Sequence, residues 1–165
     1  MNRGLDLPKV KDILNKKVIA FQPDFSTLDV IKGFNEYRIS SAPVINENNE
    51  VVGFISEGDS IKCMGNCLFY DESRNRTVGD IMTKEVAVAD PNWDLFELEN
   101  FFVSKHIRTA PVVDSDNHLV GIVTRRDALK ALEKVLHARE DYKKEIKTPI
   151  ELNLHERMRM IIGAH

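Results

Sequence analysis

The feature that most constrains the fold of this chain is an internal repeat. Residues 10–62 align without a gap onto residues 78–130, an offset of 68 positions, and 16 of the 53 aligned pairs are identical. The segment ISSAPVINENNEVVGFIS of the first copy lies over IRTAPVVDSDNHLVGIVT of the second. A copy of this length is marginal as an independent domain, so we expect the two copies to pack together about a pseudo-two-fold axis.

Each copy has the residue pattern of a β-α-β-β-α unit. The predicted strands are Val18–Phe21, 42–45 and 51–55 in the first copy, and Val86–Ala89, 110–113 and 119–123 in the second. Capping boxes predict the start of the first helix, with Ser26 and Asp29 in one copy and Asp94 and Glu97 in the other. A polar turn between the last two strands predicts a hairpin, and a second helix is expected from Ser56 or Thr124. The fold class is therefore α/β (α+β), with two related clefts between the copies as ligand sites.

Apolar spacing predicts which face of each first helix is buried. The residues expected on that face are Leu28, Ile31, Phe34 and Tyr37 in the first copy, and Phe96, Leu98, Phe101 and Phe102 in the second.

The repeat also divides the chain into segments. We expect repeat 1 over residues 1–77, with a core at 10–62 and a loop at 63–77, repeat 2 over residues 78–130, and a C-terminal helical extension over residues 131–165. Gly65 is expected to interrupt the helix after Ser56. Thr148–Pro149 is expected to end the helix after Thr124, and Ile150–Ile162 is predicted to be a short amphipathic helix. Its apolar positions at helical spacing are Leu154, Met158, Ile161 and Ile162.

Composition and charge disfavour several functional classes. The chain has 165 residues, 23 of them basic and 26 acidic, and its formal net charge of -3 argues against nucleic acid as a partner. No apolar stretch approaches the roughly 20 residues that span a bilayer, and the N-terminus lacks a signal-peptide pattern, so no membrane partner is expected. Cys63 and Cys67 have no second Cys pair or His near them in sequence, which predicts a reducing, cytoplasmic location and no metal site.

Several motifs of the repeat are similar to those of a known family. VGDIMT at 78–83, IRTAPVVD at 107–114 and GIVTRRD at 121–127 resemble the CBS domain, and the first copy has APV at 42–44 and GFISEGD at 53–59. The resemblance implies a stand-alone CBS pair, or Bateman module, that regulates rather than catalyses. It further implies an adenine-containing ligand in the clefts, a homodimer, and an effector protein that responds to the ligand.

The second helix of each copy begins with a motif that suits ligand binding. Thr124 and Asp127 lie where a strand meets a helix, and free N–H groups at such a junction attract anions. The resemblance assigns Thr124 to phosphate or sugar and Asp127 to the ribose hydroxyls, with Ser56 and Asp59 in the same places in the first copy. The same spacing is also a capping box, which stabilises a helix without any ligand.

The two motifs differ in charge. The second is accompanied by Arg125, Arg126 and Arg108, whereas the aligned residues of the first copy are Glu57, Gly58 and Ser40. Because the guanidinium fork matches phosphate oxygens, we expect the second site to prefer a phosphorylated ligand. The first site is expected to bind weakly, to bind a less charged adenosine derivative, or to stay empty.

Apolar segments are expected to hold the adenine ring, as the resemblance implies. They are Val18, Ile19, Ala20, Val86, Ala87, Val88, Pro43, Pro111 and Val112. The expected ligand is an adenine nucleotide, AMP, ADP or ATP, with S-adenosylmethionine, NAD and a cyclic dinucleotide as further options. The alternative is a structural or interaction module whose clefts are vestigial and whose motif residues only cap helices.

Overall fold

A computed structural model describes residues 7–69 and 76–144 of the chain. In chain order the elements are α1 (Val10–Ile13), α2 (Thr27–Tyr37), β1 (Ser41–Ile45), β2 (Val51–Ser56), α3 (Glu57–Phe69), α4 (Val78–Ile81), α5 (Leu95–Ser104), β3 (Thr109–Val113), β4 (Leu119–Thr124) and α6 (Arg125–Lys144). Both copies of the repeat lie in one compact unit, Met1–Ala131, and Leu132–His165 forms a second. The chain therefore has the mixed α and β composition that the repeat pattern predicts.

The two hairpins confirm the predicted strand pairs. β1 pairs with β2, and β3 with β4, both antiparallel, with Ala42 opposite Ile55 and Ala110 opposite Val123. Each hairpin has a shift in register at the same place, between Val44 and Ile45 or one repeat later. Ala42, Val44 and Ile55 of the first hairpin lie in one core with Val30 and Phe34 of α2, and the aligned residues of the second hairpin lie in another core with residues of α5.

The first predicted strand of each copy is reduced to one bridge residue. Phe21 makes a parallel bridge to Val44, and Ala89 makes the equivalent bridge to Val112. The Phe21 N–H donates to the Pro43 carbonyl at 3.1 Å, but the next rung would need a donor from Pro43 itself. Proline has no N–H, so the ladder stops there, and Pro111 has the same effect in the second copy.

The helices begin at the predicted capping boxes, but two expectations about them were wrong. Leu28, Tyr37 and Phe96, which were expected on a buried face, are more than half exposed. The predicted interruption at Gly65 is also absent, since α3 continues to Phe69. A single glycine inside a helix destabilises it by only about 1 kcal/mol, and the other residues of α3 offset this loss.

The first turn of each copy packs in the other copy. Val10 of α1 is fully buried in a core made by residues of the second copy, and Val78 of α4 is fully buried in the core of the first. The Val10 N–H donates to the Trp93 carbonyl at 2.9 Å, and the Val78 N–H donates to the Phe25 carbonyl at 2.8 Å. These contacts are related by the offset of 68 residues, so the two copies exchange equivalent segments about a pseudo-two-fold axis.

Glycines at equivalent positions allow this exchange. A Cβ on Gly121 of β4 would lie 2.5 Å from Leu14 Cδ1 and 3.0 Å from the Asn15 carbonyl oxygen. A Cβ on Gly53 of β2 would collide with the side chain of Met82. The segment that follows α1 therefore lies directly on β4, and the segment that follows α4 lies directly on β2.

The two hairpin turns join the copies along one seam. Asn49 and Asn117 both have positive φ, 64° and 65°, a conformation that asparagine tolerates. The Asn49 Nδ2 donates to the Leu119 carbonyl at 3.1 Å, and the Asn117 Nδ2 donates to the Val51 carbonyl at 3.0 Å. The N–H groups of Val51 and Leu119 return the bond to the Asn117 and Asn49 carbonyls.

Among the residues that the structure describes, no helix is both long enough and apolar enough to cross a membrane. The predicted short helix Ile150–Ile162 and the loop residues 70–75 lie outside the described residues.

Candidate functional site

The predicted binding motif of the second copy forms a complete capping box at the start of α6. The Thr124 hydroxyl donates to Asp127 Oδ2 at 2.6 Å and the Thr124 N–H donates to the same oxygen at 3.0 Å. In return, the Asp127 N–H donates to the Thr124 hydroxyl at 3.2 Å. Both side chains are half-buried, so they are held in place and remain within reach of solvent.

The first copy repeats this geometry at the start of α3. The Ser56 hydroxyl donates to Asp59 Oδ2 at 2.6 Å, and the Ser56 N–H donates to that oxygen at 3.0 Å. In both motifs the hydrogen bonds end on Oδ2. Within the described part of the chain, no hydrogen bond ends on Oδ1 of either aspartate, so each carboxylate keeps an oxygen that can accept from a further donor.

The backbone N–H groups at these helix starts are mostly occupied. The Glu57 N–H donates to the Ser40 carbonyl and the Arg125 N–H to the Arg108 carbonyl, both at 2.9 Å. The N–H of each motif aspartate donates to the motif hydroxyl. Among the described residues this leaves the N–H of Gly58 or Arg126 without an acceptor, so each junction offers one backbone donor where the sequence predicts several.

Arg125 has a role that the sequence did not predict. Its Nη2 donates to the Phe102 carbonyl at 2.9 Å, in the last turn of α5. Carbonyls in the last turn of a helix lack an intrahelical partner, and a cation there also opposes the helix dipole. The Arg125 guanidinium therefore stabilises the end of α5 in this structure with one of its five N–H donors.

The other two predicted arginines lie next to this junction. Arg126 occupies the first turn of α6, and Arg108 immediately precedes β3, where its carbonyl accepts from the Arg125 N–H. Both arginines are exposed. The corresponding positions of the first copy, Gly58 and Ser40, carry no charge, so the charge difference between the copies is present at the helix starts themselves.

The predicted apolar wall divides into two groups. The side chains of Pro43, Pro111 and Val112 are fully buried, so they belong to the core and contact with a ligand would require the core to open. The six others are half-buried and lie in extended segments next to the bridge residues: Val18, Ile19, Ala20, Val86, Ala87 and Val88. Only this second group is accessible to a ligand without such an opening.

Two further capping boxes provide a comparison outside the predicted site. Hydrogen bonds from Ser26 lower the pKa of Asp29, and hydrogen bonds from Thr77 lower the pKa of Asp80. Both carboxylates are exposed at the starts of α2 and α4. The Ser/Thr-x-x-Asp spacing therefore occurs in this chain as a helix cap alone, which means that spacing by itself does not identify a binding site.

The turn between β3 and β4 groups Asp114, Asp116 and His118 with their possible ligand atoms within 4.8 Å of one another. The carboxylate of Asp114 accepts from the Asp116 and His118 N–H groups, which explains its position as a turn residue. The sequence predicts that Cys63 and Cys67 do not bind a metal, and this stays a prediction. Both lie on α3, where Cys63 is buried.

The family model of the CBS domain matches residues 10–62 and 78–134 of this chain. An uncharacterized protein of Methanocaldococcus jannaschii is 30% identical over 161 residues, which include 80% of this chain and 95% of the relative. The inosine-5'-monophosphate dehydrogenase of the same organism is 31% identical over 122 residues, which are 74% of this chain but only 23% of that enzyme.

Solved structures with the same fold include two that contain adenosine compounds. The crystal structure of CBSX2 in complex with AMP has a TM-score of 0.69 and 27% identity, and the match covers 77% of this chain and 97% of that one. The CBS domain pair of protein MJ0100, in complex with 5′-methylthioadenosine and S-adenosyl-L-methionine, has a TM-score of 0.67 and 26% identity, with 78% and 98% coverage.

Proposed function

The chain belongs to the CBS domain family, and we propose that it is a regulatory module that binds an adenosine-containing ligand beside the helix starts at Ser56 and Thr124. It has no catalytic role in this proposal. Ligand binding favours one arrangement of the two copies, and an effector protein responds to that arrangement. In this proposal the chain divides as the sequence predicts, into repeat 1 (1–77), repeat 2 (78–130) and a C-terminal extension (131–165).

The observation that carries the proposal is the open carboxylate oxygen of each motif. Asp59 and Asp127 are fixed by their capping boxes, and Oδ1 of each is left as an acceptor in a half-buried position. A ribose diol supplies two O–H donors, which match a fixed carboxylate. That CBSX2 and protein MJ0100 hold AMP and S-adenosyl-L-methionine supports an adenosine compound as the ligand of this chain.

The second copy is the one we assign to a phosphorylated ligand such as AMP, ADP or ATP. Arg126 and Arg108 are exposed beside its helix start, and the Arg126 N–H lacks an acceptor among the described residues. Hydrogen bonds between charged groups are about twice as strong as neutral ones. The first copy, with Gly58 and Ser40, is assigned to a less charged adenosine derivative or to no ligand.

A thermal-unfolding screen tests the proposal. Purified protein stripped of nucleotide is heated with AMP, ADP, ATP, S-adenosylmethionine and adenosine in turn. A ligand at 100 times its dissociation constant adds roughly 2.7 kcal/mol to the free energy of unfolding, which raises the midpoint by several degrees. We expect at least one adenine nucleotide to do so, and no shift with any of them contradicts the proposal.

The chain provides its own matched control for this screen. Asp127→Asn keeps the shape of the side chain but removes the negative charge that accepts from the ribose, and it is expected to abolish the ligand-dependent shift. Asp80→Asn makes the same change in a capping box outside the proposed site. It should lower the midpoint slightly and leave the ligand-dependent shift intact.

One observation favours a second function, a structural or interaction module with vestigial clefts. All three hydrogen bonds of the Thr124 motif are satisfied within the motif itself, so the cap is complete without a ligand. Under this alternative Asp127→Asn has the same small effect as Asp80→Asn, about 1 kcal/mol as a weakened cap, and no nucleotide changes the unfolding midpoint.

The proposed assembly is a homodimer in the cytoplasm. Leu28 and Phe96 are aligned in the repeat, as are Ile61 and Leu129, and all four side chains are more than half exposed. Apolar groups that are exposed in symmetric pairs suit a two-fold contact with a second copy. Phe96→Asp with Leu129→Asp is expected to convert the dimer to a monomer in sedimentation, whereas Glu99→Lys on α5 should leave it dimeric.

A further inference from the structure

Two leucines of α6 are exposed on one face of the helix. Leu132 has an exposed fraction of 44% and Leu136 of 49%. Residues four apart lie on adjacent turns of a helix and share a face, so the two side chains form one apolar patch. We call these two residues the α6 patch.

The neighbours of the α6 patch make its exposure unusual. The intervening and following residues include Glu133, Lys134, His137 and Arg139, all exposed. A helix that is polar except for a short apolar stripe normally buries that stripe against another element. The described residues between Leu132 and Lys144 are helix alone, so any element that covers the patch within this unit must come from the chain that follows.

The chain that follows has the residue pattern needed to cover the patch. Residues 145–165 come after the last described residue, and Thr148–Pro149 is a predicted helix end at which the chain can reverse. The segment after it has Ile150, Leu154, Met158 and Ile161 at helical spacing, a narrow apolar stripe of the same kind as the α6 patch.

We propose that the segment Ile150–Ile162 folds back along α6 and covers the α6 patch of its own chain. At a rise of about 1.5 Å per residue, Leu136 lies about 12 Å and Leu132 about 18 Å before the end of the described helix. A helix over Ile150–Ile162 is about 18 Å long, so its far half reaches both leucines. A turn over residues 145–149 has the length of a common antiparallel helix connection, and Met158 and Ile161 then face Leu136 and Leu132.

The test measures how well the patch is protected from a chemical reagent. Leu136→Cys places a small apolar thiol in the patch, and its rate of alkylation in the full chain is followed by peptide mass spectrometry, which separates it from Cys63 and Cys67. Met158→Asp with Ile161→Asp places two charges on the apolar stripe of the segment. We expect alkylation at position 136 to become at least about tenfold faster in this double variant, because the patch is uncovered.

A matched variant controls for charge and for folding. Asn153→Asp with His155→Asp also adds two acidic side chains to the segment, but away from the stripe, and it should leave position 136 protected. Cys63, which is buried on α3, is followed in the same three backgrounds as a report on the folding of the repeats, and its protection should be the same throughout.

Three results would overturn the proposal. Equal alkylation at position 136 in the native and double-variant backgrounds would show that the segment does not cover the patch. Equal acceleration by the Asn153→Asp, His155→Asp control would show a charge effect and no apolar contact. Protection that disappears on dilution of the protein would show that a second copy covers the patch, in place of the segment of the same chain.

Discussion

The turns at 46–49 and 114–117 make the same hydrogen bonds across the seam, whereas the helix starts at 57–58 and 125–126 share their capping boxes and backbone hydrogen bonds but carry different side chains. At the seam each asparagine amide meets a carbonyl of the other copy, so a change in one copy would break a bond that both require. No such reciprocity links Glu57 to Arg125. The comparison teaches that the two copies are alike where they hold each other and differ where a ligand is proposed to bind.

The largest expected effect comes from reducing the charge difference between the two helix starts. Arg126→Gly with Arg108→Ser gives the second copy the residues of the first at these two positions. We expect AMP to bind at least about a hundredfold more weakly, since bonds to charged groups contribute about 1.5–3 kcal/mol each. Calorimetric titration measures the dissociation constants of AMP and of adenosine. Adenosine, which lacks the phosphate, should bind equally well before and after the change. An equal loss for both compounds would contradict a phosphate role.

A smaller difference is expected where the copies exchange their first segments. Gly121→Ala should lower the free energy of unfolding by about 1–3 kcal/mol, because the new methyl meets Leu14 and also the Asn15 backbone oxygen at 3.0 Å. Gly53→Ala should cost less, because the three atoms nearest to the new methyl belong to the flexible side chain of Met82. Urea unfolding measures both. A Gly53→Ala variant that is as unstable as Gly121→Ala would refute the distinction between the two glycines.

The seam predicts two equal effects. Asn49→Ala and Asn117→Ala should each lower the free energy of unfolding by about 1–2 kcal/mol, because each loses a hydrogen bond between the copies and puts alanine at positive φ. Asn49→Gly and Asn117→Gly keep the backbone conformation and lose only the amide, so they should recover part of that loss. Unequal losses for the two alanine variants would show that the copies do not share the seam symmetrically.

The smallest effect concerns pH and occurs in the second copy alone. Hydrogen bonding from the His118 N–H lowers the pKa of Asp114 from its ordinary value of 3.8, whereas the aligned Asn46 does not titrate. A lowered pKa in the folded state means that stabilisation is present above pH 3.8 and is lost as the pH falls through the folded pKa. In NMR titration the His118 amide should therefore move at a midpoint below 3.8, and Asp114→Asn should remove that transition. A midpoint at or above 3.8 would contradict the lowered pKa.

The repeat itself made most of the fold predictable. The hairpins and the capping boxes of α2 and α5 follow from local residue patterns, and the structure confirms them. The first strand of each copy was predicted to be too long. Pro43 and Pro111 shorten it because they cannot donate a hydrogen bond to the segment beside them, and the residue pattern of that segment alone does not show this. The exposure of Leu28 and Phe96 was missed because periodicity shows that a face is apolar but not whether another element of the chain packs against it.

The site was predictable in its motif and less so in its contacts. The hydroxyl and carboxylate pairs at 56 and 59 and at 124 and 127 are close together as expected, since they are three residues apart at a helix start. The bond from Arg125 to the Phe102 carbonyl joins residues 23 positions apart, and no local pattern indicates it. The exchange of Val10 and Val78 was hidden for the same reason, although their alignment in the repeat is the signal that could have suggested equivalent surroundings.

That exchange also says something about how such a chain could arise. An ancestral protein with a single copy would have carried a first turn whose buried valine fits only the core of another molecule, and it could complete itself only as a symmetric pair. Joining two such genes in tandem places both partners on one polypeptide, with residues 63–77 between them, and turns an association that depends on concentration into one that does not. Two separately expressed halves, 1–69 and 76–165, should recover the native core only when mixed.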